Sequence, residues 1–330
     1  MKFDCQKSIK KIINFNYSEF DQSSALNIAW GVDKNFMFGA AISMTSVLNN
    51  NKNKDINLHL FTDYIDDDYQ KRTEILAKNY SVNISIYLID ADELKTLPSS
   101  HAWSYAMYFR FVAFEYLSDK ISTVLYIDAD VICKGSIADL SDINIDNYMA
   151  AVIKDIDECP ARSSGENDEY FNSGVMYANL KKWKENDCIH SAINILMDEK
   201  QDLLFPDQDV LNILFFKKVI FLPRIYNAIY GIKQELKRTS VSQYKEYITD
   251  ETILIHYVGV TKPWNTWAGY PSAQYFVNAW KVSPWSDQPL LAARTPKQYK
   301  KKSRHERLQG KYFTSIISYI GYLNAKLKSK

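Results

Sequence analysis

Apolar runs of strand length alternate with longer amphipathic segments over the first 130 residues of the chain. Four runs, rich in β-branched and aromatic residues, predict strands at 26–32, 56–62, 82–89 and 123–127. The segments between them predict helices at 36–48, 66–80 and 105–116. This order of strand, helix, strand, helix is typical of a Rossmann-like α/β fold, with a mainly parallel central sheet flanked by helices and right-handed crossovers.

The second half of the chain is less regular, and its sequence contains no repeat and no low-complexity linker. Its pattern predicts strands at 172–177 and 253–259, one helix at 181–199, and the start of another helix at 205–212. No clear domain boundary is visible before about residue 280. We therefore predict an N-terminal extension at 1–25, one large domain at 26–285 and a C-terminal extension at 286–330.

The composition narrows the class of protein. Hydrophobic residues make up 46% of the 330 positions, enough for the large core of a soluble globular protein. No CxxC pair occurs, so neither a disulfide framework nor a thiolate zinc site is indicated, which fits a reducing, cytoplasmic compartment. The cysteines are Cys5, Cys133, Cys159 and Cys188. No signal peptide is visible, and no run reaches the roughly 20 apolar residues of a membrane span.

The C-terminal segment differs from the rest of the chain in charge. Residues 297–330 contain ten Lys or Arg and one acid, so the net charge of +1 divides into +9 for this segment and −8 for the remainder. This asymmetry argues against a general nucleic-acid partner and for an anionic surface that one end meets. Apolar residues recur at helical spacing from 312 to 327 and predict an amphipathic helix, which either docks on the main domain or lies in a membrane surface.

Two carboxylates follow the strand predicted at 123–127. Asp128 and Asp130 flank Ala129, and a buried strand ending here would place both acids at the carboxyl edge of the sheet, where open α/β folds bind ligands. Adjacent carboxylates repel each other, and a hard cation such as Mg²⁺ or Mn²⁺, bridging to a diphosphate, would offset the repulsion. The same pattern also fits a strand-end turn with two solvated acids.

Polar residues also stand near the ends of other predicted elements. Asp33 and Asn35 follow the first strand, where they could bind a uracil or ribose edge or act in a turn or helix cap. Tyr108 and Arg110 lie on the helix before the acid pair. Arg110 could clamp a diphosphate or a sugar hydroxyl, or it could form a surface ion pair.

Three polar residues, Asp207, Gln208 and Asp209, open the helix predicted near 205. Asp207 could be an N-cap alone, but a cap does not require Gln208 and Asp209 as well. The chain lacks the GxGxxG fingerprint of dinucleotide-binding folds, so a dinucleotide cofactor is not expected.

His256 lies near the end of the strand predicted at 253–259. A histidine there is either structural or, as a neutral imidazole, a further ligand of a cation held by the acid pair. Gly259 would let the backbone approach a phosphate, and Lys262 would neutralise it.

Six motifs in a fixed order carry a family resemblance. They are Gly31 to Asn35, Met107 to Phe111, Tyr126 to Asp130, Tyr170 to Gly174, Pro206 to Asn212, and His256 to Trp264. Together they resemble the retaining nucleotide-sugar glycosyltransferases of family 8, which have the GT-A fold. The likeness spans 26–285 and is greatest to the bacterial enzymes that add glucose or galactose to the lipopolysaccharide outer core. The C-terminal extension also resembles that of this subgroup.

The resemblance implies a role for each matched position in binding UDP-glucose or UDP-galactose. The implied ligands of Mn²⁺ or Mg²⁺ are Asp128, Asp130 and His256. The implied contacts to uridine are Asp33 and Asn35, and those to the diphosphate are Gly259 and Lys262. The residues implied around the donor sugar are Arg110, Asn172, Gly174, Asp207 and Gln208, the last below the anomeric carbon. The predicted nucleotide-sugar site also includes Gly31, Tyr108 and Ala129.

Retention of configuration requires either a covalent intermediate or attack by the acceptor from the leaving-group face. A double displacement needs a carboxylate below the anomeric carbon, and the neutral amide of Gln208 is a poor nucleophile. The resemblance therefore favours front-face attack, in which a β-phosphate oxygen takes the proton and Gln208 supports the cation-like sugar. Asp207 and Asp209 are the nearby carboxylates for the covalent route. The predicted catalytic set is Gln208, Asp207, Asp209 and Asp130.

Other functions stay open on the sequence. An acid pair and a lysine also suit a metal-dependent nucleotidyltransferase or diphosphate hydrolase, and a non-catalytic sugar-nucleotide-binding or scaffold protein is a third possibility. A UDP-sugar transferase acting on a different glycan or glycolipid is a further alternative. Two positions depart from the family pattern: Gly31-Val32 stands where many relatives have Ala-Ala or Ala-Asp, and Asn265 stands where many have His. The donor hexose and an α-1,2 or α-1,3 linkage stay open.

The basic C-terminal segment fits a lipopolysaccharide acceptor, because a glycolipid is presented at the anionic inner leaflet of the membrane. The predicted location is peripheral, on the cytoplasmic face of the inner membrane. Deletion of 297–330 is predicted to weaken binding to anionic vesicles and to leave hydrolysis of the UDP-sugar largely intact.

Overall fold

The computed structural model describes residues 4–19, 25–99, 104–156 and 169–328. Cys159 and Lys330, which enter the counts above, lie outside the described residues. The strands of the described ranges are β1 (Ile9–Asn16), β2 (Leu26–Val32), β3 (Ile56–Thr62), β4 (Asn83–Ile89), β5 (Thr123–Ile127), β6 (Val131–Cys133), β7 (Ala150–Lys154), β8 (Phe171–Asn179), β9 (Val219–Phe221), β10 (Ala228–Ile229) and β11 (Leu254–His256). The α-helices are α1 (Cys5–Ser8), α2 (Met37–Asn50), α3 (Asp67–Tyr80), α4 (Phe109–Ser118), α5 (Leu180–Glu185), α6 (Cys188–Met197), α7 (Pro206–Leu214), α8 (Gln274–Val282), α9 (Pro296–Leu308) and α10 (Tyr312–Lys328).

The central sheet has eight strands in the order β1-β4-β3-β2-β5-β8-β7-β9. β4, β3, β2 and β5 are parallel to one another, and β7 and β9 run in the same direction. β1 and β8 are antiparallel to their neighbours. The prediction of a mainly parallel, Rossmann-like sheet is therefore confirmed. A second sheet has three strands in the order β10-β11-β6, and β6 follows β5 after a three-residue turn.

The central strands are apolar at nearly every position because both faces of the sheet are covered. In β2, Ile28 and Trp30 belong to one buried cluster and Ala29 belongs to the other. In β5, Leu125 faces the first cluster and Tyr126 faces the second. Helix α2 contributes to the first cluster and α4 to the second. This arrangement leaves the carboxyl ends of β2 and β5 side by side at one edge of the sheet.

Several helix boundaries follow from local capping chemistry. Asp66 accepts the backbone N–H of Tyr69 at the start of α3 (2.8 Å). Helix α9 begins with a capping box, in which Thr295 and Gln298 bond reciprocally to backbone N–H groups, and Pro296 occupies its first turn. These side chains satisfy N–H groups that have no partner within the helix. The local sequence therefore fixes where α3 and α9 begin.

The hydrophobic pattern did not predict β1. This strand is at the edge of the sheet and buries little side-chain surface, because none of its residues is fully buried. Backbone pairing with β4, in which Ile13 lies opposite Ile86, holds it in place. An edge strand of this kind has a weak apolar signal. Part of the segment 1–25 therefore extends the central sheet.

The single helix predicted at 181–199 is wrong, because the chain forms α5 and α6 with a break between them. Asp187 adopts a left-handed conformation at the break (φ 48°), which ends the helical path. Trp183 and Ile189 on either side of it face the same apolar cluster, so the hydrophobic spacing gives no sign of the break. The predicted strand at 253–259 is likewise shorter, and only Leu254–His256 pairs with neighbours.

Helices α9 and α10 form a hairpin at the C-terminus, which we call the C-terminal hairpin. Gly310 between them has φ +74°, a conformation that a glycine adopts without strain. The predicted amphipathic helix is therefore present as α10. Within the described ranges, no helix combines the length and the apolar character that crossing a bilayer requires.

Candidate active site

The turn between β5 and β6 carries the acid pair, as the sequence predicted. The N–H of Asp128 donates to the carbonyl of Gly174 on β8 (2.9 Å), and the N–H of Tyr257 donates to the carbonyl of Asp130 (2.9 Å). These bonds fix the turn between β8 and the end of β11. Because His256 is the last residue of β11, its imidazole lies beside both carboxylates.

Asp128, Asp130 and His256 form a cluster with metal-ligand geometry. Each offers one atom, and the three atoms lie within 4.8 Å of one another. The Nε2 atom of His256 is 3.2 Å from Asp130 Oδ1 and 4.0 Å from Asp128 Oδ2. Two carboxylate oxygens and an imidazole nitrogen are a donor set that Mn²⁺ or Mg²⁺ accepts. The side chains brought together here therefore fit a divalent cation.

Asn227 fixes the orientation of the His256 ring. Its Oδ1 atom lies 3.2 Å from His256 Nδ1, and an amide oxygen can only accept, so Nδ1 carries a proton. In a neutral imidazole this leaves Nε2 as the lone-pair atom that points to the acids. Burial alone would lower the pKa of His256, but Asp130 and Asp128 raise it above its ordinary value. A bound cation and a proton would therefore compete for Nε2.

Two cations, the buried Arg110 and the partly buried Lys262, compensate the acid pair. The ammonium of Lys262 contacts Asp130 Oδ2 and the carbonyl of Tyr257, the latter at 2.8 Å. Burial alone would raise the pKa of Asp130, but Lys262 and His256 hold it well below its usual range. Arg110 donates to Asp128 Oδ1 at 2.8 Å. The alternative of two solvated acids in a turn is therefore wrong, because both carboxylates have buried partners.

Arg110 links the acid pair to helix α7. Its side chain is only 4% exposed, and one guanidinium nitrogen lies 3.1 Å from Asp207 Oδ2, so the alternative of a surface ion pair is wrong. The same nitrogen donates to the carbonyl of Ser173 at 2.9 Å. Burial raises the pKa of Asp207 to about 6, although Arg110 opposes that shift. Burial therefore disfavours the ionised form of Asp207, and the positive charge of Arg110 offsets part of that cost.

The side-chain amide of Gln208 is held at both ends. Its Oε1 accepts the backbone N–H of Ser173 (2.9 Å) and an amide proton of Asn172 (3.2 Å). Its Nε2 donates to Asp155 Oδ2 (2.9 Å) and to the hydroxyl of Tyr170 (3.0 Å). Such a network permits one orientation of the amide and one position of the side chain.

A chain of hydrogen bonds joins Gln208 to the cluster of acids and histidine. Asn172 donates to Gln208, and the Oδ1 atom of Asn172 accepts an amide proton from Asn227 at 2.9 Å. Asn227 in turn accepts from His256. The predicted sugar-binding residue and the predicted metal ligand therefore belong to one continuous polar network.

Asp209 faces a different environment from Asp207. Its carboxylate accepts the backbone N–H of Phe205 (2.8 Å) and the hydroxyl of Tyr170. This pairing stabilises the first turn of α7, where negative charge is favourable. Of the two carboxylates considered for a covalent route, Asp207 is paired with a cation and Asp209 with the start of its own helix.

Asp33 lies at the end of β2, next to the acid-pair turn at the end of β5, because these strands are parallel neighbours. One oxygen of Asp33 accepts the N–H of Asn35 and the other accepts the hydroxyl of Ser104, both at 2.9 Å. The predicted turn role of Asp33 is therefore present. Asn35 is exposed at the rim, with its side chain available to a ligand.

Gly31, Tyr108 and Ala129 occupy tightly packed positions. A Cβ atom at Gly31 would lie 2.8 Å from Phe109 Cβ, so this glycine allows α4 to approach β2. Ala129 is buried between the two acids. Tyr108 is fully buried, and its hydroxyl donates to the carbonyl of Pro98 rather than to the acid cluster.

The segment after β11 forms a turn around Lys262. Gly259 is exposed and has φ +91°, a left-handed conformation that side chains rarely adopt. Asn265, which departs from the family pattern, is buried and accepts the backbone N–H of Lys262 at 2.7 Å. The amide of Asn265 therefore closes the turn that presents Lys262.

Asn227, Asp155, Tyr170 and Ser173 are site residues that the sequence prediction missed. Asp155 follows the apolar run of β7, as Asp128 follows that of β5, so the same strand-end signal could have identified it. Tyr170 and Ser173 lie within one of the six motifs. Asn227 carries no local signal, because it acts only through the fold.

Gly174 is expected to be intolerant of a side chain. A Cβ atom there would lie 2.8 Å from His256 Nδ1 and 2.9 Å from Asp128 Oδ2. Gly174→Ala is therefore expected to displace a predicted metal ligand and to weaken Mn²⁺ binding by about tenfold or more, with destabilisation of about 1–3 kcal/mol. Calorimetric titration with Mn²⁺ and a thermal melt measure both effects. Gly269→Ala is the matched control, because its Cβ would meet nothing within 4 Å, and equal Mn²⁺ affinity in both variants would contradict the prediction.

Comparison with known families is decisive for the class of protein. The sequence matches the model of glycosyl transferase family 8 over residues 27–268 and the model of that family's C-terminal region over residues 270–326. The chain belongs to glycosyl transferase family 8. Family 8 enzymes are retaining glycosyltransferases, so the predicted family and enzyme class are confirmed. Membership favours this activity over the nucleotidyltransferase, hydrolase and scaffold alternatives.

Curated relatives of this family 8 enzyme match almost the whole chain. Lipopolysaccharide 1,2-glucosyltransferase of Escherichia coli is 38% identical over 312 residues, which cover 92% of each chain. Lipopolysaccharide 1,3-galactosyltransferase of Salmonella typhimurium is 39% identical over 340 aligned positions, which cover 99% of this chain and 98% of the relative. Among solved structures, the galactosyltransferase LgtC in complex with donor and acceptor sugar analogs superposes with a TM-score of 0.64. It is 22% identical and covers 84% of this chain and 100% of LgtC, which supports the GT-A fold.

Proposed function

We propose that this glycosyltransferase moves glucose or galactose from a UDP-sugar, with retention, to a hexose of the lipopolysaccharide outer core. The observation that carries the proposal is the similarity, over nearly the full length, to curated lipopolysaccharide glucosyl- and galactosyltransferases. A 1,2-glucosyltransferase and a 1,3-galactosyltransferase match almost equally well, at 38% and 39% identity. The new bond is accordingly an α-1,2 or α-1,3 linkage, and the proposal includes either donor.

Asp128, Asp130 and His256 would hold Mn²⁺ or Mg²⁺ at the donor diphosphate. Their converging donor atoms and the support of His256 by Asn227 fit a divalent cation. When bound, the ion would supply Lewis-acid stabilisation of the charge that develops on the UDP leaving group. Lys262 contacts Asp130, so its ammonium would lie beside the same diphosphate. Gly259 would bring backbone to the diphosphate from the opposite end of this turn.

The donor would lie across the carboxyl edge of the sheet. Uridine would contact the polar atoms at the end of β2, where Asp33 is buried and Asn35 is exposed. The sugar would lie near Gln208, whose amide is fixed by four neighbours. The other residues proposed for the nucleotide-sugar site are Gly31, Tyr108, Arg110, Ala129, Asn172, Gly174 and Asp207. For Tyr108 the role would be indirect, because its hydroxyl is bonded to Pro98.

Front-face attack is the mechanism that this arrangement supports. Gln208 is neutral, and its amide oxygen already accepts from Ser173 and Asn172, so the fixed dipole of the amide, rather than a free lone pair, would stabilise positive charge on the sugar. Arg110 neutralises Asp207, and Tyr170 with the Phe205 N–H engages Asp209. Each carboxylate is therefore engaged by a partner that lowers its nucleophilicity, which disfavours the covalent route. In this mechanism the bond between the anomeric carbon and UDP breaks as the acceptor oxygen bonds to that carbon from the same face, and the acceptor hydroxyl gives its proton to a β-phosphate oxygen of the departing UDP.

The direct test of the proposed function uses truncated lipopolysaccharide cores as acceptors. Purified enzyme is incubated with UDP-glucose or UDP-galactose in the presence of Mn²⁺, Mg²⁺ or EDTA, and the product linkage is determined by NMR. We expect one donor to yield UDP and a core extended by one α-linked hexose, and EDTA to stop the reaction. Release of UMP and a sugar phosphate would instead indicate phosphoryl chemistry.

We further propose that the C-terminal hairpin attaches the enzyme to the cytoplasmic surface of the inner membrane. Helix α10 packs on α9 through small residues: Ser315 donates to the carbonyl of Ser303 (2.8 Å), and Ser318 donates to Glu306 (2.6 Å). The apolar residues of α10 stay outside. The large exposed ones are Tyr312, Phe313, Ile316, Ile317, Tyr319, Ile320, Leu323 and Leu327.

The outward orientation of the apolar side of α10 favours the membrane alternative over a helix docked by its apolar face. A docked amphipathic helix buries its apolar stripe, whereas in α10 only Ser315 and Ser318 are buried. An exposed apolar stripe with basic residues beside it is typical of helices that lie in the surface of anionic membranes. Helix α9 supplies most of that charge, and its exposed basic residues include Lys300, Arg304 and Arg307.

Introducing charge on the exposed stripe is expected to release the enzyme from membranes. The double variant Ile316→Glu/Ile320→Glu changes two residues that are 61% and 51% exposed. Each substitution removes the free energy gained when the isoleucine side chain is buried in the membrane surface, about 1.5–3 kcal/mol. Binding to vesicles containing anionic lipid should therefore fall by about a hundredfold or more. Flotation or calorimetry with such vesicles measures the change. Ile75→Glu on α3, where the side chain is 46% exposed, is the matched control, and unchanged vesicle binding by the double variant would refute the attachment.

A further inference from the structure

Helix α9 contacts the turn that presents Lys262. His305 is fully buried between them, and its Nδ1 lies 2.8 Å from the hydroxyl of Tyr270. Its Nε2 lies 3.5 Å from Thr261 Oγ1, at the long end of the hydrogen-bond range. Because Thr261 immediately precedes Lys262, the histidine of the C-terminal hairpin stands one residue from the proposed diphosphate-binding side chain.

The contact is part of a small buried network rather than a single bond. The indole of Trp267 donates to the same Thr261 hydroxyl at 3.3 Å. Gln309, at the end of α9, donates to the carbonyl of Trp267 at 2.9 Å. Thr261, Trp267 and Tyr270 are all buried. The inner side of the turn therefore rests on two residues of the C-terminal hairpin, His305 and Gln309.

Consecutive residues of α9 connect in different directions. His305 faces the turn, whereas Glu306 accepts the hydroxyl of Ser318 on α10. Burial lowers the pKa of His305 to about 4, so near neutral pH the ring is uncharged and acts through hydrogen bonds and packing. Helix α9 therefore contacts both α10 and the turn at the proposed donor site.

We propose that His305 is a positioning residue for donor binding. It holds Thr261, and through it the backbone from which Lys262 reaches Asp130 and the donor diphosphate. The inference rests on the proposed role of Lys262 in binding UDP-sugar. It also changes the expectation for the deletion of 297–330, because that deletion removes His305 and Gln309 and should weaken donor binding as well as vesicle binding.

A double-mutant cycle with Lys262 tests the proposal. His305→Ala is expected to raise the donor KM for hydrolysis, and the Kd for UDP measured by calorimetry, by about threefold to tenfold, with kcat changed by less than about twofold. In a Lys262→Ala background the same substitution should change the Kd for UDP by less than about twofold, because the side chain that it positions is absent. Both are measured in the full chain without vesicles.

The controls separate positioning from a loss of fold. Leu308→Ala changes an exposed side chain of the same helix without changing charge and should leave the Kd for UDP unaltered. If His305→Ala does not fold, Thr261→Val removes the hydroxyl with little change in shape and should give the same rise in Kd. A lower melting temperature with an unchanged Kd, or an equal rise in both backgrounds, would overturn the proposal. Lys262→Ala binding UDP like the parent would refute the role of Lys262 itself, which is a separate result from unaltered binding in His305→Ala alone.

Discussion

Replacing Asp130 with asparagine is expected to lower kcat/KM for sugar transfer by about a thousandfold or more. The substitution keeps the shape of the side chain but removes the charge that faces both His256 and Lys262. Two effects combine, because a predicted ligand of the cation is lost and Lys262 loses the partner that orients it. Steady-state transfer assays over a range of Mn²⁺ concentrations, with calorimetric titration of Mn²⁺, measure the change.

The same substitution should also cost stability. Removing one partner of a buried charge pair costs about 3–5 kcal/mol, so activity must be referred to the folded fraction found in a thermal melt. Asp146→Asn, at an exposed position outside the site, is the control and should leave activity and Mn²⁺ binding unchanged. A folded Asp130→Asn variant with parental transfer activity would rule out the cluster as the site of chemistry. It would favour the hypothesis that the acid pair has no catalytic role.

Gln208→Ala is expected to lower kcat for transfer by about a hundredfold and to change the donor KM only a few-fold. The amide is held by Ser173, Asp155 and Tyr170, so its removal takes away a preorganised dipole without a charged group being lost. Interactions that act on the charge of the reacting sugar appear in kcat rather than in binding. Initial rates at saturating acceptor, with the donor varied, separate the two parameters.

An exposed glutamine provides the control for this variant. Gln274 on α8 bonds only to Asn278 among the described residues, and Gln274→Ala should leave kcat unchanged. Intact mass spectrometry of the parent and of Gln208→Glu after incubation with donor tests the mechanism separately. A hexose adduct mapped to Asp207 or Asp209 would establish a covalent route in place of front-face attack, and an equal fall in kcat/KM carried by KM alone would assign Gln208 to ground-state binding.

Local patterns in the sequence identified most of the central sheet. Strands β2, β3 and β5 and helices α2 and α3 lie where the apolar runs and helical periods predicted them. These elements are buried on one or both faces, so each must carry a regular apolar signal. The pattern did not predict an element that buries little side-chain surface, and it did not predict a break between two helices that face the same cluster. Strand β1 is held by backbone pairing and buries little, and the break at Asp187 lies between helices that face the same cluster.

The motifs identified the charged centre of the site but not its supports. Asp128 and Asp130 follow a buried strand, and strand ends of parallel sheets meet at one edge, so their placement followed from sequence. Asn227 was missed because it contacts His256 and Asn172 only after three distant segments have come together. The ion pair between Arg110 and Asp207 was not predicted either, because Asp207 lies almost 100 positions further along the chain.

Residue types and their order along the chain were sufficient to predict the fold class, the family, and the acids and histidine of the candidate site. The spacing of apolar residues also predicted that α10 is an amphipathic helix. The side of α10 that is covered became visible only in the folded chain, where Ser315 and Ser318 rather than the apolar stripe face α9. The contacts of His305 with Thr261 and Tyr270, next to the turn of Lys262, are likewise a property of the folded chain. Hydrophobic periodicity indicates which residues share one face of a helix. What each face packs against depends on contacts between segments that are far apart in the chain.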